Sequence, residues 1–343
     1  MKAVVLVKNG SPKEAFKIQT VADPEPSDTQ VRIAVEAFGL NFADVMARQG
    51  HYQDCPPLPT VIGYEAVGII DKLGSKVAAE NRLKVGQRVL AFTRFGAYAE
   101  KVVTESTGVV PIPNDMSIGV ATALATQYCT AYYAAEIISP LQEGEQVMIQ
   151  SAAGGVGTAL VQLAKRHNCT IYGTAGSAEK LKYLKEQGVD YPINYRTEDF
   201  AKRIKGLAPH GKIDVMFDAV GGNAVKKGMK LLGAGGRMVC YGASSLSGRS
   251  VNVFQKLKTV AGFGFYHPVQ FMMSSKALIG VNMLRIADNK PHILQKCLES
   301  VVALAEKGDL KPTVGGVFAI EQLNEAHEQL EFRKSIGKIV VHW

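Results

Sequence analysis

A glycine-rich run in the middle of the chain has the residue types that a phosphate-binding turn needs. Residues 151–157 are Ser-Ala-Ala-Gly-Gly-Val-Gly, and they separate a short apolar run from a segment with helical periodicity. Gly154 would let the backbone approach a pyrophosphate, and Gly157 would let the helix pack closely on the strand. The free N–H groups at the start of that helix would then hold the phosphate. Ala152 replaces the first glycine of the usual G-x-G-x-x-G motif, so the strand–turn–helix context carries the prediction, and a generic tight turn is the alternative.

The segment after the next predicted strand indicates which nicotinamide cofactor would bind. NAD-specific sites have an acidic residue about 20 residues past the glycine turn, where it binds the ribose 2′-hydroxyl. Here the strand ends in Ala175 and Gly176 with no carboxylate, Ser177 and Lys180 follow at once, and Tyr195 comes one unit later. Glu179 lies on the first turn of the next predicted helix, where it can point away from Lys180. Since no carboxylate would repel a 2′-phosphate, we predict NADPH rather than NADH. The alternative role of Ser177 is a helix N-cap, and that of Lys180 is a solvated helix position.

Length, charge and cysteine spacing exclude several classes of protein. A chain of 343 residues suggests two domains. Its 39 Lys and Arg residues outnumber the 31 Asp and Glu residues by 8, but they are scattered, so no nucleic-acid partner is expected. No run of 18 apolar residues and no signal-peptide pattern occurs, so neither a membrane-spanning helix nor a secretory leader is predicted. The cysteines form no C-x-x-C pair, and we expect free thiols in a cytoplasmic protein: Cys55, Cys129, Cys169, Cys240 and Cys297.

Hydrophobic patterning divides the chain into a β-rich part and an α/β part. Before about residue 115 long helical patterns are scarce, and the strand-like runs are 3–7, 31–37, 67–73, 89–92 and 97–103. From 147 to 241, buried strands alternate with helical patterns, which predicts a parallel sheet with crossover helices. The run 277–284 is predicted to be the edge strand of that sheet. The tail from about His292 has two helical patterns and a final strand, 338–341, and we expect it to pack on the first domain.

Five short motifs are spread along nearly the whole chain. They are Gly39-Leu40-Asn41-Phe42-Ala43-Asp44, Arg48-x-Gly50-x-Tyr52, Pro57-x-Pro59-x-x-x-Gly63-x-Glu65, the glycine turn, and Gly337-Lys338. Together they resemble the medium-chain dehydrogenase/reductase superfamily, specifically its zinc-free quinone oxidoreductase branch. Residues 41–50 and 191–195 are most similar to the vesicle amine transport protein 1 group within that branch. The resemblance implies a GroES-like β-barrel domain (1–122), an inserted Rossmann domain with a doubly wound parallel sheet that binds NADP (123–285), and a C-terminal return to the catalytic domain (286–343).

The resemblance also bears on the reaction. Zinc-dependent alcohol dehydrogenases of this superfamily hold the catalytic metal with a Cys and a His, and this chain has Asn41 and Tyr64 at the matching places. Both are poor zinc ligands, so no metal is expected. Without a Lewis acid the substrate must accept hydride readily, as quinones and α,β-unsaturated carbonyls do. We therefore expect an NADPH-dependent quinone or enone reductase.

The candidate catalytic residues are Asn41, Tyr52 and Tyr64. Either tyrosine could donate a proton to the developing enolate, and the alternative for each is an aromatic at the rim. Asp44 and Glu65 are expected to be structural, as partly buried acceptors for backbone or Arg48 donors. The cofactor-binding set that the turn and the resemblance together predict is Asn41, Gln127, Thr130, Gly154, Gly155, Val156, Gly157, Gly176, Ser177, Lys180, Tyr195, Tyr241, Val281, Met283 and Lys338.

Two further expectations concern partners. In the resembled family the edge strand pairs with its two-fold mate, so a homodimer through 277–284 is predicted. The aromatic- and Met-rich excursion 253–273 is interpreted first as a substrate lid, then as packed core, then as a membrane-surface element. The alternative function is accordingly a membrane-associated nucleotide-binding protein with little turnover. A non-catalytic structural or nucleic-acid-binding role has no supporting pattern.

Overall fold

The structure, a computed structural model, describes residues 1–246 and 261–343, and residues 253–260 of the predicted excursion lie outside them. The strands are β1 (Lys2–Leu6), β2 (Phe16–Thr20), β3 (Gln30–Leu40), β4 (Thr60–Val61), β5 (Glu65–Leu73), β6 (Arg88–Phe92), β7 (Lys101–Glu105), β8 (Val109–Pro111), β9 (Gln146–Ile149), β10 (Thr170–Ala175), β11 (Tyr191–Asn194), β12 (Ile213–Asp218), β13 (Leu232–Cys240), β14 (Ala277–Gly280), β15 (Val314–Ala319) and β16 (Lys338–His342). The α-helices whose bounds are described are α1 (Pro12–Ala15), α2 (Phe42–Arg48), α3 (Ser75–Glu80), α4 (Ile118–Ala123), α5 (Cys129–Tyr132), α6 (Gly155–Arg166), α7 (Ala178–Glu186), α8 (Phe200–Leu207), α9 (Asn223–Leu231), α10 (Pro268–Ser274), α11 (Met283–Asn289), α12 (Pro291–Glu306) and α13 (Leu323–Glu331).

The chain folds into two compact units. The first unit contains Met1–Cys129 and Met283–Trp343, and the second contains Thr130–Asn282. The first boundary therefore falls inside α5.

The first unit is built from two sheets. A three-stranded antiparallel sheet has the order β2-β1-β4, and a seven-stranded sheet has the order β15-β16-β3-β5-β6-β8 with β7 also paired to β3. Strand β3 shows why the sequence folds in this way. Its apolar residues Val31, Ile33, Val35 and Ala37 alternate with more exposed ones, so one face of the strand enters the core. The tail joins this sheet, because β16 pairs antiparallel with β3 and parallel with β15.

The described residues of the second unit form a six-stranded parallel sheet in the order β11-β10-β9-β12-β13-β14. Counted along the chain, this is the order 3-2-1-4-5-6 of a Rossmann sheet, as predicted. Its strands carry apolar side chains on both faces, as in sheets covered by helices on each side. The order reverses between β9 and β12, and ligands of such sheets bind at the carboxyl ends of the strands at this switch point.

Three details of the predicted elements were wrong. The run 97–103 is not a continuous strand, because Ala99 makes only a single bridge with Ala3 and the ladder of β7 begins at Lys101. The run 277–284 contains both the edge strand β14 and the start of α11, since a short apolar run does not distinguish strand from helix. Strand β15 was missed, because its two glycines weaken the strand pattern of the sequence.

Candidate functional site

A buried ion pair and an amide form the polar cluster of the first unit. The ammonium group of Lys338, on β16, contacts the carboxylate of Glu65, on β5, and donates a 3.0 Å hydrogen bond to Oδ1 of Asn41. The Asn41 amide nitrogen donates to Oε1 of Glu65 at 2.8 Å. Lys338 and Glu65 have no exposed surface, and Asn41 is 8% exposed. Both charges are thus paired and hydrogen-bonded, which is the condition under which charged groups are buried.

The backbone leaves room for this cluster at Gly39. A Cβ atom on Gly39 would overlap Oε1 of Glu65 and Cε of Lys338. The glycine of the motif 39–44 is therefore required by the ion pair across the sheet rather than by its own backbone conformation.

Backbone N–H groups bind one oxygen of Asp44 and the second oxygen of Glu65, whereas Oδ1 of Asp44 has no hydrogen-bond partner among the described residues. Oδ2 of Asp44, in the first turn of α2, accepts the backbone N–H of Asn41 at 2.7 Å. Oε2 of Glu65 accepts the backbone N–H of Thr126 at 2.8 Å. These contacts confirm that Asp44 and Glu65 are buried acceptors for backbone donors. Burial raises the pKa of Asp44 and lowers the pKa of Lys338.

Arg48, the other donor that we considered for these carboxylates, is anchored elsewhere. It is fully buried, donates to the carbonyl oxygen of Gly10 at 2.6 Å, and pairs with the Glu331 carboxylate at 2.6 Å. It thereby connects α2 to α13 and to the loop after β1.

The donor set of the polar cluster does not fit a zinc ion. Zinc sites in proteins use thiolate, imidazole and carboxylate ligands in tetrahedral geometry. Positions 41 and 64 carry an amide and a phenol, the Glu65 carboxylate is paired with the Lys338 ammonium, and the Asp44 carboxylate accepts the backbone N–H of Asn41. Within residues 1–246 and 261–343, no three His, Cys, Asp or Glu side chains are grouped so that they could hold a metal.

The two candidate tyrosines belong to an aromatic group in the first unit. The rings of Tyr52 and Tyr64 lie 6.0 Å apart, edge to face, and Phe95 lies 5.2 Å from Tyr64. Tyr64 is only 3% exposed, and its hydroxyl makes no hydrogen bond of normal geometry within the described part of the chain. Burial raises the pKa of Tyr52 to about 12 and that of Tyr64 further, so both phenols carry their proton at neutral pH.

Gln127 and Met283 are the other predicted site residues of the first unit, beside Lys338 and Asn41. Gln127 lies in the π-helical segment Leu124–Tyr128, is 6% exposed, and its Oε1 has no hydrogen-bond partner among the described residues. Met283 begins α11 and is 6% exposed. A buried amide oxygen without a partner is uncommon in folded proteins and suits a ligand donor.

In the second unit the glycine turn joins β9 to α6 at the switch point of the sheet. Gly154 is the N-cap of α6, and Gly155, Val156 and Gly157 are its first residues. A Cβ atom on Gly157 would overlap the carbonyl oxygen of Ser151, so the close packing expected at this glycine is present. The first N–H groups of a helix have no partner within the helix, so they are free to bind a phosphate.

The residues predicted to select NADPH are clustered beyond β10. A Cβ atom on Gly176 would overlap the hydroxyl of Tyr195, which places these two residues side by side. Ser177 is the N-cap of α7, and its hydroxyl accepts the backbone N–H of Lys180 at 3.3 Å. Ser177 therefore caps α7, as the alternative predicted. Because its hydroxyl is the acceptor in this bond, the hydroxyl proton can still be donated to a ligand.

Three predicted residues are distributed over the rest of the second unit. The backbone N–H of Tyr241 donates to the carbonyl of Asp218, and that of Val281 donates to the carbonyl of Cys240. Each of these two residues directly follows the carboxyl end of a strand, Tyr241 after β13 and Val281 after β14. Thr130 lies near the start of α5 and is 9% exposed.

Asp218 was missed by the sequence analysis. It ends β12 at the switch point and has no exposed surface; its Oδ2 accepts the backbone N–H of Gly221 at 2.6 Å, while Oδ1 has no partner in the described part of the chain. Burial raises its pKa to about 6. The available signal was an acidic residue that ends an otherwise apolar strand, Ile213–Asp218.

Comparisons with known proteins agree with the fold. Residues 27–114 match the family model of the alcohol dehydrogenase GroES-like domain, and residues 155–287 match that of zinc-binding dehydrogenases. The human synaptic vesicle membrane protein VAT-1 homolog is 35% identical over 334 residues, which cover 97% of this chain and 84% of that protein. The crystal structure of the human VAT-1 homolog-like protein superposes with a TM-score of 0.84 at 30% identity, covering 100% of this chain and 98% of the other. The Escherichia coli quinone oxidoreductase complexed with NADPH superposes with a TM-score of 0.85 at 27% identity, covering all of both chains.

Proposed function

Because this chain belongs to the medium-chain dehydrogenase/reductase superfamily, in the branch of the VAT-1 homologs and quinone oxidoreductases, we propose that it is an NADPH-dependent, zinc-independent reductase of quinones or α,β-unsaturated carbonyls. One observation supports the cofactor most directly. The glycine turn lies at the switch point of a 3-2-1-4-5-6 sheet, and the following strand, β10, ends without a carboxylate. NADPH in the similar Escherichia coli enzyme supports the same cofactor.

The proposed reaction needs no metal. Bound NADPH supplies the hydride. A quinone or enone places the resulting negative charge on an oxygen, and hydrogen-bond donors held near that oxygen stabilise it. Tyr52 and Tyr64 keep their protons at neutral pH and are the proposed donors. The Asn41 amide uses one of its two N–H groups on Glu65, so the other is available for a ligand.

The test is a screen of NADPH and NADH oxidation against quinones and enones, with the zinc content of the same preparation measured by elemental analysis. We expect turnover with NADPH in protein that lacks stoichiometric zinc and has been dialysed against a chelator. One zinc per chain, lost together with activity, would contradict zinc independence. Absence of turnover with every acceptor would contradict the proposed activity.

The second candidate function, nucleotide binding at a membrane surface, is supported by one observation. Phe265, Met272 and Met273 are 91%, 78% and 84% exposed, although Phe263, Tyr266 and Phe271 of the same excursion pack against the core of the second unit. The interpretation of the excursion as packed core is thus wrong for Phe265, Met272 and Met273. No helix of the described residues is long and apolar enough to cross a bilayer. Flotation with liposomes tests the idea, and protein that stays with the soluble fraction would exclude it.

A homodimer is part of the proposal. Strand β14 is at the end of the parallel sheet, and its outer backbone groups have no strand partner within the described chain. Leu278 on this strand is 42% exposed. An exposed apolar edge strand is an aggregation hazard unless another strand pairs with it, and a second copy of β14 would do so.

All five cysteines are free thiols, which supports a reducing, cytoplasmic environment.

A further inference from the structure

Thr174, on β10, makes three hydrogen bonds to the neighbouring glycine turn and to the residue that precedes it. Its hydroxyl accepts the backbone N–H of Ser151 at 3.1 Å and donates to the side-chain oxygen of Gln150 at 2.7 Å. Its carbonyl accepts the backbone N–H of Ala152 at 3.0 Å. Thr174 is fully buried and Gln150 is 4% exposed. The hydroxyl and the backbone carbonyl of Thr174 together therefore fix Ser151 and Ala152, the first residues of the turn, from the adjacent strand.

The residue that Thr174 holds has an unfavourable backbone conformation. Ser151 has a φ of +52°, in the left-handed region where a Cβ atom is crowded. Residues that carry a side chain remain in this region only when surrounding contacts hold them there. The hydrogen bond from the Ser151 N–H to the Thr174 hydroxyl is such a contact.

The orientation of Ser151 determines the shape of the rest of the turn. Its carbonyl oxygen accepts the backbone N–H of Gly154 at 2.9 Å and lies against Gly157, where a Cβ atom would overlap it. If the peptide of Ser151 rotated, Gly154 and the start of α6 would lose their contact with it. The N–H groups at the start of α6 would then no longer converge on one position.

We propose that Thr174 is a positioning residue for cofactor binding, whose hydroxyl keeps Ser151 left-handed and so preorganises the turn for a pyrophosphate. This inference rests on the proposed function, because it takes NADPH as the ligand of the turn. Preorganisation improves affinity by removing the ordering that binding would otherwise require.

The decisive comparison uses Thr174→Val and Thr174→Ser. Valine has the same shape as threonine and remains suited to a strand, but it removes both side-chain hydrogen bonds, whereas serine keeps the hydroxyl. We expect the Kd for NADPH, measured by calorimetry, to rise about 10-fold in Thr174→Val, the equivalent of roughly one hydrogen bond, and to return toward wild type in Thr174→Ser. At saturating NADPH, kcat should be unchanged. Thr170→Val, at the other end of β10, is the matched control and should bind NADPH like wild type.

Two further measurements separate a positioning role from a general loss of structure. Adenosine 2′-phosphate lacks the pyrophosphate, so its Kd should be the same in wild type and Thr174→Val. In cofactor-free protein, hydrogen exchange of the peptide that contains residues 151–154 should be faster in Thr174→Val than in wild type or Thr174→Ser.

The outcomes distinguish this inference from the proposed function. If wild type does not bind NADPH, the proposed function fails and this inference fails with it. If wild type binds NADPH and Thr174→Val binds it equally well, or if serine does not restore affinity, only the inference about Thr174 is overturned. Equal weakening of NADPH and adenosine 2′-phosphate would also overturn it, because the effect would not be specific to the turn.

Discussion

Lys338 and Glu65 form an ion pair from which water is excluded, since neither side chain has any exposed surface. Removing one partner of such a pair leaves an uncompensated buried charge. We expect Lys338→Met and Glu65→Gln each to lower the free energy of unfolding by about 3–5 kcal/mol, measured in urea. The double variant should be more stable than the sum of the two changes predicts, by at least about 1 kcal/mol.

The control for this pair is the exposed pair of Lys182 and Glu186 on α7, whose charges are 3.9 Å apart. Lys182→Met should change the free energy of unfolding by less than about 0.5 kcal/mol, because water already solvates both charges. Full additivity of the two changes at Lys338 and Glu65 would show that the pair is not coupled.

The tyrosine hydroxyls can be tested separately from the packing of their rings. Tyr52→Phe or Tyr64→Phe should lower kcat for an enone by up to about 10²–10⁴-fold, with the KM for NADPH unchanged. Tyr64→Phe should not reduce thermal stability, because the hydroxyl it removes is buried without a normal hydrogen bond. Tyr191→Phe in the second unit is the control. If neither Tyr52→Phe nor Tyr64→Phe changes kcat, the proton comes from water.

Selectivity for NADPH is expected to depend on Lys180. A lysine that contacts a 2′-phosphate contributes a charge-assisted hydrogen bond, so Lys180→Ala should raise the KM for NADPH by about 10-fold or more. The KM for NADH should change by less than about twofold. Lys182→Ala, two residues along the same helix and 81% exposed, should change neither value. Equal effects of Lys180→Ala on both cofactors, or a wild type that prefers NADH, would refute this assignment.

Asp218 should make stability depend on pH in mildly acidic solution. Its pKa is about 6 in the folded protein, against an ordinary value of 3.8, because burial disfavours the charged form. The folded state therefore binds more protons than the unfolded state between these values, so stability is lost as the pH rises from about 4 through 6. Its titratable neighbours Cys240 and Tyr241 stay neutral there, since burial raises their pKa values as well. Asp218→Asn removes this loss, so the variant should gain up to about 3 kcal/mol relative to wild type between pH 4 and pH 7. A difference in unfolding free energy that is the same at both pH values would contradict this.

The edge strand gives a prediction about assembly. Leu278→Lys puts a charge on the exposed side of β14, and charged edge residues oppose strand pairing. Sedimentation should show a dimer for wild type at micromolar concentration and mainly monomer for the variant. Ile18→Lys is the control, because Ile18 is 53% exposed on β2, an edge strand of the other unit. A monomeric wild type would contradict the proposed dimer.

The sequence alone predicted what depends on local pattern. The strand-like runs before about residue 115 were sufficient for the β-rich part, and the alternation of strands with helical patterns from 147 to 241 was sufficient for the parallel sheet. The strand–turn–helix context of residues 151–157 was sufficient for the turn. The pattern did not reveal contacts between residues far apart in sequence. The pairing of Lys338 with Glu65 requires the register of β16 against β3, and the role of Gly39 follows only from that pairing.

The polar contacts of the second unit were missed for a related reason. Thr174 is a typical strand residue, and its hydrogen bonds to Ser151 and Gln150 become visible only when β10 and β9 lie side by side. Asp218 was assigned to an apolar strand with no role of its own, because a single carboxylate at the end of a strand does not change the pattern of apolar residues from which the strand was predicted. Backbone conformations such as the positive φ of Ser151 have no signal in residue type, since serine is common in ordinary turns.

The position of β16 between β15 and β3 has a consequence for synthesis on the ribosome. Strand β3 is synthesised early. Its partner β16, which carries the Lys338 cation for Glu65, follows the whole of the second unit in the sequence. Until Lys338 emerges, Glu65 has only the Asn41 amide and the Thr126 N–H as polar partners from this cluster. The second unit, whose residues are contiguous, can therefore complete its sheet first. The first unit therefore remains incomplete, with Glu65 exposed to solvent, until the residues that follow the second unit have been synthesised.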